Sequence, residues 1–161
     1  MRRKDREITD IDEKLKIIAK CKICRIGLSE NNYPYIVPLN YGFSYDDGKL
    51  TLYFHSATEG KKIDIIRKNK NICFEIDCDS KLIEGEAPCD YGYEFRSIIG
   101  FGKINILETK DEIIKGLNYL MKHQTGKDIK YDYSENNLKN VIVLKLLVEE
   151  FTGKQKVIKK V

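Results

Sequence analysis

A chain of 161 residues with 42% apolar and 34% charged side chains is long enough to bury one core and too apolar to be disordered. Its 29 basic and 25 acidic residues leave a net charge of only +4, which makes no electrostatic case for a nucleic-acid binder. No run of about 20 apolar residues is present to span a bilayer.

The opening Met1-Arg-Arg-Lys-Asp-Arg-Glu7 is charged and has no apolar stretch behind it, so it does not read as a signal peptide. The five cysteines (Cys21, Cys24, Cys73, Cys78 and Cys89) are an odd set that suits reduced thiols better than a disulfide framework. A single cytoplasmic domain over residues 1–161 is the expectation.

Thr9-Asp10-Ile11-Asp12-Glu13 reads as a helix start, with Asp10 and Glu13 spaced as in a capping box. Ile11, Leu15, Ile18 and Ala19 follow at helical spacing, which predicts a helix ending near Lys20. Cys21 to Ser29 reads as a strand and Glu30-Asn31-Asn32 as a tight turn. Tyr33 to Tyr45 reads as one long strand interrupted by Pro34 and Pro38, with the backbone around Pro38 released from regular pairing.

Asp46-Asp47-Gly48 is a hairpin turn signal, and Lys49 to Phe54 is the returning strand. A helix then opens at Gly60 and runs to about Lys68. Ile72 to Asp77 alternates as a half-buried strand, and Cys78 to Gly92 reads as a long loop. Tyr93 to Leu107 is a strand whose Gly100 and Gly102 mark a bend or a close backbone approach.

Thr109 and Glu112 form a second capping box, for a helix expected to end near His123. Thr125 to Lys139 reads as loop, Val141 to Phe151 as the final strand, and the basic tail from Lys154 as partly mobile. About six antiparallel strands with three accessory helices make a mainly β domain. Glycine and proline bends imply curvature, so a small barrel is the expected architecture.

The chemistry gathers at Leu52-Tyr-Phe-His-Ser-Ala57 and the Glu59-Gly-Lys-Lys-Ile-Asp64 that follows it. His55 stands where a strand ends, Ser56 and Ala57 are small, Gly60 permits an unusual backbone angle, and Lys61 and Lys62 open a helix. Backbone N–H groups, the helix dipole and a lysine together favour an anion such as a phosphate. A charged helix start after an ordinary turn explains the same residues.

Other candidates are weaker. Cys21 and Cys24, three apart on a strand, point to opposite faces, which is wrong for sharing a metal ion. There is no nucleophile elbow, no Gly-x-Gly-x-x-Gly and no Walker lysine loop. Glu84 and Glu86 read as solvated loop carboxylates, and a helix-end dipole accounts for His123. A flavin unites the remaining features: its phosphate needs cations and N–H donors, and irregular backbone such as Val37-Pro-Leu-Asn40 matches the polar edge of its ring.

Taken together, the motifs resemble the flavin-binding split-barrel superfamily of the pyridoxamine 5′-phosphate oxidases, and within it the 5-nitroimidazole resistance group. The matching stretches are Met1 to Glu7, Val37-Pro-Leu-Asn-Tyr-Gly42, Leu52 to Asp64, Cys73-Phe-Glu-Ile-Asp77, Ser97-Ile-Ile-Gly-Phe-Gly102, Leu120-Met-Lys-His-Gln-Thr-Gly126 and Thr152-Gly-Lys154. The resemblance implies a split-barrel homodimer with FMN at the subunit interface.

Residue by residue, it implies that Val37, Pro38, Leu39, Asn40 and Tyr41 wall the flavin ring. His55, Ser56 and Ala57 contact ring and ribityl chain, Lys61 and Lys62 clamp the phosphate, and Ser97 and Ile98 add a contact from a later strand. His55 matches the proposed active-site histidine of the nitroimidazole group. The chain lacks tryptophan and the arginine-containing C-terminal motif of the parent oxidases, so pyridoxamine phosphate oxidation is not expected. An FMN-dependent oxidoreductase reducing small electrophiles, nitroimidazoles among them, is the leading expectation. A flavin-storing module without catalysis and a haem-binding barrel are the alternatives.

Overall fold

The computed structural model describes residues 2–128 and 131–157, with Asn137 described by its backbone alone. A short 3-10 turn at Lys4–Arg6 leads into β1 (Glu7–Ile8), which precedes α1 (Ile11–Lys20). Asp10 caps α1, its carboxylate accepting from the N–H groups of Asp12 at 2.7 Å and Glu13 at 3.2 Å. Ile17 and Ile18 turn the helix's apolar face into the core.

β2 (Ile23–Glu30) and β3 (Tyr33–Asn40) are joined by Asn31 and Asn32, whose φ angles of 51° and 65° are those of the tight turn expected there. Asp47 and Gly48, at φ 51° and 76°, join β4 (Gly42–Asp46) to β5 (Lys49–Ser56) in the same manner. α2 (Lys61–Lys68) then buries Ile63, Ile65 and Ile66. β6 (Asn71–Ile83) and β7 (Gly92–Ile106) form a long hairpin with a 3-10 turn at Pro88–Asp90 near its tip.

α3 (Lys110–Thr125) starts at the Thr109 cap and stops at Gly126, which sits at φ 72°. α4 (Glu135–Lys139) and β8 (Ile142–Lys156) complete the chain. All strand pairs are antiparallel, in the order β3-β2-β6-β7-β8-β5-β4, with β1 against β8. The sheet curls until β3 touches β5, and Ile26, Phe54, Phe74, Ile104 and Leu144 fill the inside. This is the split barrel, built from eight strands among the described residues where the sequence suggested about six. No helix among them is long and apolar enough to cross a membrane.

Four expectations need correction. Pro38 is not released: it stays in register opposite Arg25, because β3 lies at the sheet edge, where a missing N–H breaks no ladder. The long second strand breaks instead at Tyr41, between β3 and β4. The loop expected from Cys78 starts later, at Glu84, since β6 runs on to Ile83 through a register shift after Cys78, with Asp79 at φ 61°.

The final strand, expected to end at Phe151, runs on to Lys156. Lys154 lies opposite both Ser97 and Glu7, with its Nζ 5.7 Å from the centre of the Phe95 ring. Residues 158–161, the end of the basic tail, lie outside the described residues, as do Ile129 and Lys130 in the stretch expected to be loop. Within that stretch α4 is an unexpected helical turn, and α3 runs two residues past His123.

The sheet's outer surface is divided. α3 covers the part formed by β4 and β5, where Tyr53 and Tyr119 stack at 4.9 Å with 9° between their planes. Further along, Ile36, Gly27, Cys73 and Phe101 form one row across β3, β2, β6 and β7. Ile36 (65%), Phe101 (49%), Ile99 (46%) and Leu147 (46%) are exposed on this face. Charges stand among them: Arg25, paired with Glu75 and Asp77, lies in the row of Ile99, and Lys103 lies opposite Leu147.

Candidate functional site

The strand-to-helix stretch is formed as the sequence implied. β5 carries Leu52 and Phe54 into the barrel, so His55, one residue on, faces out and is exposed opposite Val143 of β8. Ser56 turns back inward and is buried, its hydroxyl donating to the carbonyl of Ala57 at 2.9 Å. The chain then reaches Gly60 at φ 127° and ψ 162°, a backbone state reserved for glycine, and α2 begins.

No side chain caps α2. The N–H groups of Ile63 and Asp64 bond to the Gly60 carbonyl, and the helix's first turn is otherwise open at its positive end. Lys61 is exposed and Lys62 half-buried, and among the described residues neither has an ion-pair partner within 4 Å. The Nζ of Lys61 lies 4.8 Å from the centre of the Tyr35 ring on β3, which brings the helix start against the proposed ring wall. A shallow cavity of about 200 Å³ opens there, between Lys61 and the β2–β3 hairpin residues Glu30, Asn31, Tyr33, Pro34 and Tyr35. Uncapped N–H groups and two lysines without an ion-pair partner among the described residues suit an anionic phosphate, while the Glu30 carboxylate in the same cavity, paired with Lys68 at 3.2 Å, opposes one.

On the wall itself, Val37 and Leu39 face the core while Pro38 and Asn40 are exposed. Tyr41 is wholly buried, its hydroxyl donating to the Ile18 carbonyl at 2.6 Å, so only its backbone can meet a ligand. Ile98 is likewise wholly buried in the core. Ser97 is half-buried on β7, opposite Asp77 and Lys154 and three strands from β3 in the sheet order. Within one chain Lys61 therefore meets β3 at Tyr35 and β3 touches β5, while Ser97 and Ile98 stand on β7.

Sequence reasoning missed Tyr35, whose ring lies under Lys61 only because the barrel closes. It also missed the ties between residues 123–124 and the end of the wall. Cys21 and Cys24 are both buried, and burial pushes the Cys21 thiol up to about 12 and raises that of Cys24 further. Thiols held so firmly protonated are poor nucleophiles and poor metal ligands.

The sequence model of the pyridoxamine 5′-phosphate oxidase family matches residues 10–155, nearly the whole domain. The chain belongs to that family. Among solved structures, a candidate 5-nitroimidazole antibiotic resistance protein from Bacteroides thetaiotaomicron is 31% identical, with a TM-score of 0.79 over 92% of this chain and 86% of that one. The flavocytochrome Anf3 from Azotobacter vinelandii (14% identity, TM-score 0.79, 98% of this chain and 72% of that one) shares the fold. So does an FAD- and haem-binding protein from Mycobacterium smegmatis (13%, 0.79, 94% and 73%). No curated protein matches the chain. Membership of the oxidase family accounts for the split barrel.

Proposed function

We propose that this member of the oxidase family is a cytoplasmic FMN-dependent oxidoreductase that reduces small electrophiles, nitroaromatics such as nitroimidazoles among them. The observation that carries the reading is the uncapped start of α2, with Lys61 and Lys62 unpaired beside β3. The candidate resistance protein at 31% identity supports the choice of substrate class. Five free thiols suit a reducing compartment.

Lys61, Lys62 and the N–H groups of α2 would hold the phosphate, and Ser56 and Ala57 would stand beside the ribityl chain. The backbone of residues 37–41 would meet the ring edge. FMN, when bound, supplies the electron chemistry, and the protein supplies placement. His55 faces the solvent side of this site, where it orients the substrate or donates a proton to it.

A homodimer completes the reading. The exposed side chains of Ile36, Phe101, Ile99 and Leu147 on one face of the sheet support a second copy covering this face. In such a pair, Ser97 and the Ile98 backbone of one subunit come to the flavin of the other, which explains their separation from the cradle within one chain.

Titrating the apoprotein with FMN and with riboflavin tests the phosphate assignment. Lys61→Ala is expected to weaken FMN binding by about 10- to 100-fold, the range of a charge-assisted hydrogen bond, and to leave riboflavin binding nearly unchanged. Equal losses for both ligands remove Lys61 from the phosphate.

A further inference from the structure

The break in the sheet at Tyr41 leaves a carbonyl outside the β3 and β4 ladders in a wholly buried residue. An unpaired buried carbonyl is costly, so something must answer it. Two consecutive side chains at the end of α3 do. His123 places Nδ1 2.7 Å from that oxygen, and Gln124 donates to it from Nε2 at 2.8 Å. Both lone pairs of one backbone oxygen are thereby used.

The same two residues tie the neighbouring positions. Gln124 donates to the Lys22 carbonyl at 3.2 Å and accepts from Asn40 Nδ2 at 3.3 Å, while Asn40 also donates to the Lys22 carbonyl at 3.2 Å. Lys22 in turn donates from Nζ to the His123 carbonyl. The His123 ring is held by Tyr41, 4.6 Å away between centroids, and by the edge of Phe43 at 5.2 Å.

His123 is buried, and burial lowers its pKa from the ordinary imidazole value against the pull of the carbonyls around it. Both ring nitrogens face carbonyl oxygens, so whichever nitrogen carries a proton donates to the carbonyl before it, and Nδ1 makes the shorter contact, to Tyr41. Nε2 lies 3.0 Å from the Ala19 carbonyl at the end of α1. A helix-end dipole alone therefore does not explain this histidine.

We infer that His123 and Gln124 are positioning residues that fix the Asn40–Tyr41 backbone at the end of the ring wall. Their effect on a ligand rests on the flavin reading above; their effect on the backbone does not. A merely structural histidine stabilises the fold whatever its hydrogen-bond geometry. A positioning histidine works through a donor at one place. Asparagine puts a donor near the Nδ1 position, and alanine puts none.

Three proteins decide the matter: wild type, His123→Ala and His123→Asn. His123→Ala is expected to speed amide exchange at residues 40–43 by about tenfold or more and to weaken FMN binding about tenfold. His123→Asn is expected to recover most of both losses while its melting temperature stays lowered, because the ring's packing is gone. If asparagine and alanine behave alike in exchange and binding, or if neither moves exchange at residues 40–43, the inference is overturned. If wild type itself binds no FMN, the flavin reading fails, and the exchange pattern still decides the positioning role.

Discussion

His55→Ala is expected to keep FMN bound and to slow reduction of a nitroimidazole by about 10²- to 10⁴-fold, the usual contribution of a positioned acid or base. The side chain is exposed at the end of β5 and is outside the core, so its loss leaves packing intact. The backbone of residue 55 stays in register with Val143 in either protein. Anaerobic single turnover of chemically reduced, FMN-loaded protein isolates the step from the choice of electron donor. Substrate reduction at the wild-type rate with full flavin occupancy removes His55 from the chemistry.

Gly42→Ala is expected to cost about 3 kcal/mol of stability, at the upper end for overpacking. Gly42 opens β4 directly beneath α3, and a Cβ there falls 2.3 Å from the backbone N of Leu120 and the backbone carbon of Tyr119. Neither atom can swing aside as a side-chain tip would, so the helix has to lift. Lifting it opens the Tyr53–Tyr119 stack and draws His123 away from the Tyr41 carbonyl. Denaturant titration reads the loss as a lower midpoint at an unchanged slope. A shift under about 0.5 kcal/mol, the size of an ordinary surface substitution, contradicts this close approach of helix and strand.

What the sequence disclosed and what it hid divide by the range of the interaction. Asp10 and Thr109 were readable as caps because their partners lie two or three residues away. Asn31-Asn32 and Asp47-Gly48 were readable as turns because positive φ is a local demand. Gly100 and Gly102 were readable as a bend, and the sheet does shift register between Phe101 and Gly102.

The misread elements all depend on neighbours distant in the chain. Pro38 is harmless only because β3 is an edge, and no local pattern says which strand will be one. The polar end of β8 stays in the sheet because β7 and β1 are there to pair with it. At the candidate site, the strand end at His55 and the lysines after Gly60 follow directly from residue order. Tyr35 beneath Lys61 and His123 beneath Tyr41 do not, since 26 and 82 positions separate the members of each pair.

The residues of the ring wall show the same limit from another side. Alternation along residues 37–41 fixes which side chains face in, and it places Val37 and Leu39 against the core. Tyr41 and Ile98 were named as contacts through resemblance, and the barrel leaves them only their backbone for that task.

The visible absorption spectrum of the purified protein, taken before and after adding FMN and removing the excess, tests the central claim most directly. A flavin spectrum retained at about one FMN per chain is the predicted result, with Lys61→Ala losing it on the same column. A protein that stays colourless after exposure to FMN, or that carries a haem band and refuses flavin, contradicts it.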